Sequence, residues 1–236
     1  SPLSLVVTAF APVTDARKTL TPQLRTDMGD TELWLIDLGE GQNCLGASAL
    51  GYVYSDIGKS SPNLDNANSI VGFFAAIQAL NADDLLLAYH DRSDGGLWAV
   101  VTEMAFAGRC GLDLDIGALD ADPIRALFSE ELGAVIQIRS SDAEAVAARL
   151  KAHGLGDIVH RLGEPTTGSQ VKVSAAGALL LDEGLLSLYA DWTETSHHIQ
   201  SIRDNPGCAA QEREHTLSAR NTGLTATLSF DLTDTL

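Results

Sequence analysis

Residues 90–96 read His-Asp-Arg-Ser-Asp-Gly-Gly, and their residue types could bind a phosphate together with its metal ion. Asp91 supplies a carboxylate of the kind that coordinates Mg²⁺, a cation that takes oxygen ligands and retains several waters. The Ser93 hydroxyl can donate a hydrogen bond to a phosphate oxygen. Gly95 and Gly96 lack a Cβ atom, so a ligand can approach their backbone closely. This combination predicts a site for a magnesium-bound phosphate.

The neighbouring sequence predicts how these residues are positioned. Residues 85–89 form an apolar run typical of a buried strand, and residues 97–107 have the pattern of a helix. A strand, a tight turn and a helix together direct backbone N–H groups and the helix dipole toward an anion. The competing interpretation is an ordinary turn in which Ser93 or Asp94 caps the helix. His90 also has two interpretations, a general base or a hydrogen-bonded structural residue.

Two other segments contain residue types that could act chemically. Residues 39–48 are rich in glycine but have neither the Lys-Ser/Thr pair of a P-loop nor the GxGxxG pattern. We expect the small residues 46–48 to let a helix pack closely instead. Glu130 and Glu131 could act as an acid and a base or hold a cation. Adjacent carboxylates in a loop more often face solvent, so we expect a solvated loop here.

The histidines and cysteines indicate no further site. His197 and His198 are adjacent, so on a helix their side chains point about 100° apart and cannot chelate one metal ion together. We expect both at the surface, with Glu194 on the same helix. Cys44 lies in no nucleophile elbow and has no neighbouring histidine. An odd number of widely spaced cysteines predicts reduced thiols, without a disulfide framework or a zinc site: Cys44, Cys110 and Cys208.

The composition excludes several classes of protein. The chain has 236 residues, 45% of them hydrophobic, which is enough to bury a large core. Its net charge of −17 disfavours nucleic-acid binding and requires that any nucleotide site neutralise phosphate locally. No apolar run approaches the roughly 18 residues that a membrane span needs. The first residues include no methionine and no basic region, so we expect no signal peptide and a chain cut from a longer protein.

Hydrophobic periodicity predicts intermixed strands and helices. Strands are predicted at residues 3–10, 33–38, 85–89, 112–116, 133–139, 159–163, 171–174, 178–181 and 224–230. Helices are predicted at residues 45–54, 70–80, 97–107, 123–128, 143–153 and 184–202, with Ser141 and Glu144 forming a capping box. Several strands follow one another without a helix, which favours an α+β fold with a mixed β-sheet and packed helices. We expect one domain at 1–190 and a C-terminal extension at 191–236.

Six segments along the chain share a resemblance to one family. They are SPLSLVVTAFAPV, TLTPQL, LWLIDLGEGQNCLGASALGYVY, HDRSDGGLWAVVTEMAFAGRCGLDLDI, LFSEELGAVIQI and IRDNPGCAAQE. Together they resemble the phosphoribosylformylglycinamidine synthases, the large single-chain FGAR amidotransferases of purine biosynthesis. The resemblance covers nearly the whole chain. It implies the C-terminal domain of the second of two halves similar to aminoimidazole ribonucleotide synthetase, followed by the segment that leads to a glutaminase domain.

The resemblance also implies a site and an activity. Asp91 would be a Mg²⁺ ligand and Ser93 a nucleotide contact at an auxiliary site that retains ADP, with the remaining ligands upstream. The enzyme would convert formylglycinamide ribonucleotide (FGAR), ATP and glutamine to formylglycinamidine ribonucleotide, ADP, phosphate and glutamate. No catalytic residue is assigned to this chain, and alone it would be inactive. Its partners would be the upstream synthetase-like domains and the downstream glutaminase domain, in the cytoplasm.

Alternative functions remain open. The chain could belong to another ATP-dependent enzyme of the aminoimidazole ribonucleotide synthetase superfamily, although such chains should lack the long segment after Ile202. It could instead be a non-catalytic interaction module with no bound ligand. A thiol hydrolase or metallohydrolase would have to use Cys44 or the His197-His198 pair.

Overall fold

The computed structural model describes residues 6–13, 15–221, 227 and 229. The chain divides into two compact units, residues 1–182 and residues 183–236. The described strands are β1 (Thr31–Asp37), β2 (Ala88–Asp91), β3 (Gly111–Asp115), β4 (Gly133–Arg139), β5 (Val159–Thr166), β6 (Gln170–Ala175) and β7 (Ala178–Gly184). They form one sheet in the order β2-β4-β1-β5-β3-β6-β7.

The sheet is mixed, which confirms the predicted α+β class. β1 pairs antiparallel with β4 and β5, β2 pairs antiparallel with β4, and β3 pairs antiparallel with β5. β3 and β6 run parallel. β2 lies at one edge of the sheet, where Asp91 is opposite Ala134 of β4. β4 is an interior strand, so pairing with its beginning holds the last residue of β2 in place.

In the part of the chain that the structure describes, five α-helices belong to the first unit and two to the second. They are α1 (Ala49–Val53), α2 (Ala67–Ala82), α3 (Gly96–Gly108), α4 (Pro123–Phe128), α5 (Ala143–Ala152), α6 (Leu185–Arg203) and α7 (Pro206–Thr216). Short 3₁₀ turns occur at Ala16–Lys18, Ser140–Asp142 and Gly156–Ile158. None of the helices formed by the described residues is long and apolar enough to cross a membrane.

The core lies between the sheet and helices α2 and α5. All seven residues of β1 are buried, as are the first six of β4, so both faces of the sheet are covered along these strands. One core cluster joins sheet residues to residues of the two helices: Trp34, Ile36, Ile136 and Ile138 with Ala76, Leu80, Val146 and Leu150. Burying each large apolar side chain contributes about 1.5–3 kcal/mol. This packing fixes the strand ends that carry the candidate site.

The second unit contains a pair of contacting helices, α6 and α7. Asn205 is the N-cap of α7. Its side-chain oxygen accepts hydrogen bonds from the backbone N–H groups of Gly207 and Cys208 at 2.9 and 3.2 Å. Pro206 then occupies the first helical position, where its missing N–H costs nothing. Gln200 of α6 donates to Glu212 of α7 at 2.6 Å. The helix predicted at 184–202 is confirmed as α6, but helix α7 was not among the predicted elements.

Other differences from prediction have local causes. The helix predicted at 45–54 is reduced to Ala49–Val53, because residues 45–48 are held in a turn by bonds to residues 57 and 60. The capping box is wrong: α5 begins after a 3₁₀ turn, and the Ser141 hydroxyl donates to Asp142 instead. Residues 6–10 of the strand predicted at 3–10 are irregular, and its residues 3–5 lie outside the described residues. The strand predicted at 224–230 also lies outside them, apart from residues 227 and 229.

Candidate functional site

Residues 92–95 connect the edge strand β2 to helix α3, so the predicted order of strand, turn and helix is confirmed, although the strand predicted at 85–89 lies at Ala88–Asp91. Asp91 is the last residue of β2, and α3 begins at Gly96. The backbone N–H of Arg92 donates to the carbonyl of Gly133 at 2.8 Å, which continues the pairing of β2 with β4 one residue beyond the strand. The turn is therefore anchored to the sheet immediately after Asp91.

Arg92 points into the protein and holds the loop that precedes β4. Its Nε donates to the carbonyl of Glu131 at 2.6 Å, and its Nη2 donates to the carbonyl of Leu132 at 3.0 Å. Nη2 also forms an ion pair with Asp37 at the end of β1. A buried guanidinium is tolerated only when its charge and its donors are satisfied, and here both are. Arg92 therefore has a structural role, which the sequence interpretation of this segment overlooked.

Asp37 completes this buried cluster from the other side. Its Oδ1 accepts from the backbone N–H of Gly39 at 3.1 Å, and its Oδ2 accepts from that of Gly41 at 2.8 Å. The carboxylate thus shapes the first turn of the glycine-rich segment 39–48 while it neutralises Arg92. A Cβ atom at Gly39 would lie 2.5 Å from the Cβ of Glu131, so glycine is required there by close packing. Residues 46–48 were expected to let a helix pack closely, but a Cβ atom at Gly46 would instead meet the backbone of Ser60, which lies in a loop.

The expectation of a solvated loop at Glu130 and Glu131 is wrong. Glu131 is 1% exposed, and its Oε1 accepts from the backbone N–H of Cys44 at 3.1 Å. Glu130 Oε1 accepts from the N–H of Gly95 and from that of Ala49, both at 2.8 Å. Carboxylates are stabilised by the backbone amides at the beginnings of helices, which is where the Glu130 carboxylate lies. Local sequence cannot reveal this, because the amides come from distant segments.

Neither Ser93 nor Asp94 caps α3, so that part of the competing interpretation is wrong. The N-cap is Gly95, which has a φ of 84° and no side chain. Because Glu130 accepts from its N–H, a carboxylate from the protein occupies the position where the sequence predicted a phosphate at the helix terminus. Glycine is also required at residue 96, where a Cβ would lie 2.6 Å from the carbonyl oxygen of Ser129.

Asp91 and Ser93 are exposed, and they lie on the same turn. Among the described residues, no hydrogen bond engages the Asp91 carboxylate or the Ser93 hydroxyl, while the Ser93 carbonyl accepts from the N–H of Gly96 at 2.9 Å. The turn is thus ordered by its backbone and leaves both side chains available. Burial raises the pKa of the neighbouring Tyr89 to about 12, and the charge of Asp91 adds to that effect.

His90 connects β2 to α3. Its Nε2 lies 2.9 Å from a carboxylate oxygen of Glu103, and its Nδ1 lies 2.8 Å from the carbonyl oxygen of Asp91. Both partners accept hydrogen bonds, so both contacts are satisfied when the ring carries two protons. Of the two interpretations of His90, the hydrogen-bonded structural residue agrees with this geometry.

Among the described residues, no group of three His, Cys, Asp or Glu side chains could hold a metal ion. His198 forms a pair with Glu194 at 3.0 Å and is exposed, as expected for a surface histidine. Burial raises the pKa of the Cys44 thiol, and it raises that of Cys110 to about 11. A thiol with a raised pKa is a poor nucleophile at neutral pH. Asp91 is therefore an exposed carboxylate that is not part of a group of three potential ligands among the described residues.

Comparison with known proteins agrees with this fold. The family model for the C-terminal domain of AIR synthase related proteins matches residues 34–175. The chain belongs to this family. The matched region runs from β1 to the end of β6 and includes the β2–α3 turn, the glycine-rich segment and the loop that carries Glu130 and Glu131.

Solved structures with a similar fold are longer enzymes. One is Thermotoga maritima PurL complexed with ATP, with a TM-score of 0.57 and 11% identity over 72% of this chain. Another is the same protein complexed with FGAR, with a TM-score of 0.56 and 14% identity over 73% of this chain. A third is phosphoribosylformylglycinamidine synthase II from Thermotoga maritima, with a TM-score of 0.57 and 12% identity over 72% of this chain. This chain spans only 27–30% of those proteins, and at these identities the likeness concerns the fold.

Proposed function

We propose that this chain is one domain of a glutamine-dependent phosphoribosylformylglycinamidine synthase, a cytoplasmic carbon–nitrogen ligase of purine biosynthesis. The family supports an AIR synthase-related enzyme, and the T. maritima proteins of similar fold were studied with ATP, ADP and FGAR. The six sequence segments that resemble FGAR amidotransferases support the specific reaction. In it, ATP activates the amide oxygen of FGAR, and ammonia from glutamine forms the amidine.

Within that enzyme, the proposed role of this domain is to complete an auxiliary Mg-ADP site. Asp91 would be one ligand of Mg²⁺ and Ser93 would contact the nucleotide. The observation that carries this proposal is that both side chains are exposed and unengaged on a turn whose backbone is fixed by the sheet. Because the backbone is already ordered, a bound ligand would have to immobilise only the side chains.

The donor set fits part of a magnesium site. A single carboxylate is compatible with Mg²⁺, which commonly binds one or two protein carboxylates, phosphate oxygens and waters. Since the described residues include no cluster of three ligating side chains, the other donors would come from elsewhere in the enzyme. When bound, Mg²⁺ would supply the positive charge that offsets the phosphates. Asp91 would hold that ion beside the turn, and Ser93 would orient the nucleotide.

The charge distribution supports a metal-dependent mode of binding. The chain has a net charge of −17, and the arginine nearest to the turn, Arg92, is neutralised by Asp37. Glu130 also places a negative charge at the beginning of α3. A bare phosphate would be repelled by such surroundings, whereas a magnesium-bound phosphate would not. We therefore expect this domain to bind nucleotide only together with the metal.

The proposed role is not catalytic. No residue of this chain is assigned to the reacting atoms, and the glutaminase nucleophile would lie in a later domain. We propose that residues 1–190 form the synthetase-like domain and that residues 191–236 lead to the glutaminase domain, for which this chain is a scaffold. The helix α7 and its cap at Asn205 would give that connection a defined structure.

The test is the nucleotide content of the intact enzyme that carries this chain. Wild type, Asp91→Asn and Asp94→Asn would be purified at one fixed Mg²⁺ concentration and denatured, and the released ADP would be measured. Asp94 is an exposed carboxylate on the same turn, so its variant is a matched control for the loss of charge. We expect stoichiometric ADP in wild type and in Asp94→Asn but depletion in Asp91→Asn. Equal ADP in all three proteins would contradict the role of Asp91.

The reaction itself needs a second assay. ADP formation that depends on both FGAR and glutamine would support the proposed enzyme. ADP formation that requires neither substrate would favour another enzyme of the superfamily. One observation favours a module without a ligand, because Glu130 already occupies the beginning of α3. Absence of ADP from the wild-type enzyme, together with no binding of added Mg-ADP, would support that alternative.

A further inference from the structure

Two glycine-rich segments that are distant in the sequence meet at a single carboxylate oxygen. Glu130 Oε1 accepts from the N–H of Ala49, the first residue of α1, and from the N–H of Gly95, the N-cap of α3. Both distances are 2.8 Å. The oxygen therefore ties the first residue of α1, which directly follows segment 39–48, to the turn that carries Asp91 and Ser93.

The loop that carries Glu130 is itself held on both sides. On one side, the carbonyl of Ser129 lies where any Cβ at Gly96 would collide with it, so the loop packs directly against the start of α3. On the other side, Arg92 donates to the carbonyls of Glu131 and Leu132. Glu130 thus extends from a rigid support, and the position of its carboxylate is defined before any ligand binds.

The contact with Gly95 determines where the turn lies. Gly95 has a φ of 84°, a left-handed conformation in which the chain reverses between Ser93 and α3. One oxygen of Glu130 accepts from the N–H of Gly95 and also from that of Ala49, so the Gly95 amide is held by an acceptor that is itself fixed at a second point. Without Glu130, the amide of Gly95 would lose its partner, and between the anchor at Arg92 and the start of α3 the turn would keep the bond from the Gly96 N–H to the Ser93 carbonyl.

We propose that Glu130 is a positioning residue for the Mg-ADP site, which acts by fixing Gly95 and thereby the orientation of Asp91 and Ser93. This inference rests on the proposed function. It assigns Glu130 no contact with the metal or the nucleotide, since its Oε1 is engaged by two backbone amides. It also explains why a carboxylate occupies the helix terminus at which the sequence predicted a phosphate.

The test compares Mg-ADP affinity in the intact enzyme, depleted of nucleotide, for wild type, Glu130→Ala and Glu130→Gln. Glutamine keeps an oxygen that can accept from both amides, whereas alanine removes it. We expect the dissociation constant of Glu130→Ala to rise about tenfold or more, the effect of losing about 1.4 kcal/mol of hydrogen bonding. Glu130→Gln should remain within about twofold of wild type. Rescue by the neutral amide would identify the acceptor, and not the charge, as the essential feature.

A second control variant distinguishes a change in the position of the turn from a general loss of protein stability. Val146 is fully buried in the core between the sheet and α5, so Val146→Ala lowers stability without changing the turn. Its Mg-ADP affinity should equal that of wild type at a temperature where every variant is folded. If Glu130→Ala does not fold, Glu130→Asp tests the same point, because its shorter side chain cannot reach both amides and should also weaken binding.

Several outcomes would overturn this inference. Unchanged affinity in Glu130→Ala would show that the turn is ordered without Glu130. Tighter binding would show that the carboxylate competes with phosphate, and equal loss in Glu130→Gln would show that charge is what matters. Asp91→Asn, measured in parallel, shows whether the inference alone fails or the proposed function fails as well. If Asp91→Asn weakens binding and Glu130→Ala does not, only the inference fails, whereas no effect of Asp91→Asn removes the proposed function as well.

Discussion

The Arg92 guanidinium and the Asp37 carboxylate form an ion pair that is almost fully removed from solvent. Their side chains are 1% and 5% exposed. The pair joins the end of β1 to the turn after β2, and each partner also holds backbone groups of a neighbouring loop. One ion pair therefore connects the three segments that build the candidate site.

Removing one partner of this pair should be strongly destabilising. Arg92→Leu would leave the Asp37 carboxylate buried without its counter-ion, which typically costs about 3–5 kcal/mol of unfolding free energy. Arg203→Leu is the matched control, because Arg203 pairs with Asp204 on an exposed surface and should leave stability unchanged. Urea denaturation of the three proteins measures the difference. A loss equally small in both variants would mean that the buried pair contributes nothing to the fold.

The glycine at residue 96 should not tolerate a side chain. Gly96→Ala places a Cβ 2.6 Å from the carbonyl oxygen of Ser129, in a backbone conformation with φ of 67°. We expect a loss of about 1–3 kcal/mol from crowding and strain together. Gly29→Ala separates these causes, because Gly29 has a similar φ of 74° but nothing within 4 Å of its Cβ position. Thermal denaturation should show the larger loss at residue 96, and equal losses would argue against the packing of the loop onto α3.

Ser93→Ala should weaken Mg-ADP binding without affecting stability. The hydroxyl makes no hydrogen bond among the described residues, so its removal leaves no buried group unsatisfied. Loss of one hydrogen bond to the nucleotide predicts a dissociation constant raised by about two- to tenfold. Calorimetric titration of the nucleotide-depleted intact enzyme measures the affinity, and a thermal scan measures the stability. Unchanged affinity would remove Ser93 from the proposed site.

Stability should fall in alkaline solution because of Cys110. Burial raises the pKa of its thiol from 9.0 to about 11, so the folded state favours the neutral form. A group with a raised folded pKa contributes its stability below the unfolded pKa and loses it as the pH rises through the folded value. The unfolding free energy should therefore decline between about pH 9 and 11, by roughly 2–3 kcal/mol. Cys110→Ala should flatten this decline, and an unaltered slope in that variant would contradict the assignment.

The three cysteines should differ in their reaction with a thiol reagent. Cys208 is exposed, Cys44 is partly buried and Cys110 is buried. Because the thiolate is the reactive form, burial slows the reaction both by limiting access and by raising the pKa. We expect Cys208 to be labelled first, Cys44 next and Cys110 only on unfolding. Mass spectrometry after timed labelling gives this order directly, and early labelling of Cys110 would show that its part of the core opens.

Local sequence predicted most of the elements. Hydrophobic periodicity predicted β4 at 133–139 and α4 at 123–128 with the bounds that the structure has, and it predicted β3 within one residue. Such predictions succeed because hydrophobic periodicity, residue propensity and the residues that begin a helix all act over only a few neighbouring positions. The capping box at Ser141 is wrong because Ser141 lies inside the 3₁₀ turn Ser140–Asp142, and α5 begins only after that turn, without a side-chain cap.

The chemistry of residues 90–96 was partly predictable. The sequence alone determined that a strand, a turn and a helix bring Asp91 and Ser93 to one place, and that an acidic chain needs local neutralisation of any phosphate. Only the tertiary structure decided that Arg92 is buried against Asp37 and that Glu130 binds Gly95 and Ala49. Those partners are separated by 35–81 residues. No local pattern encodes a pairing at that distance, because it arises only when the sheet order brings the ends of β1, β2 and β4 together.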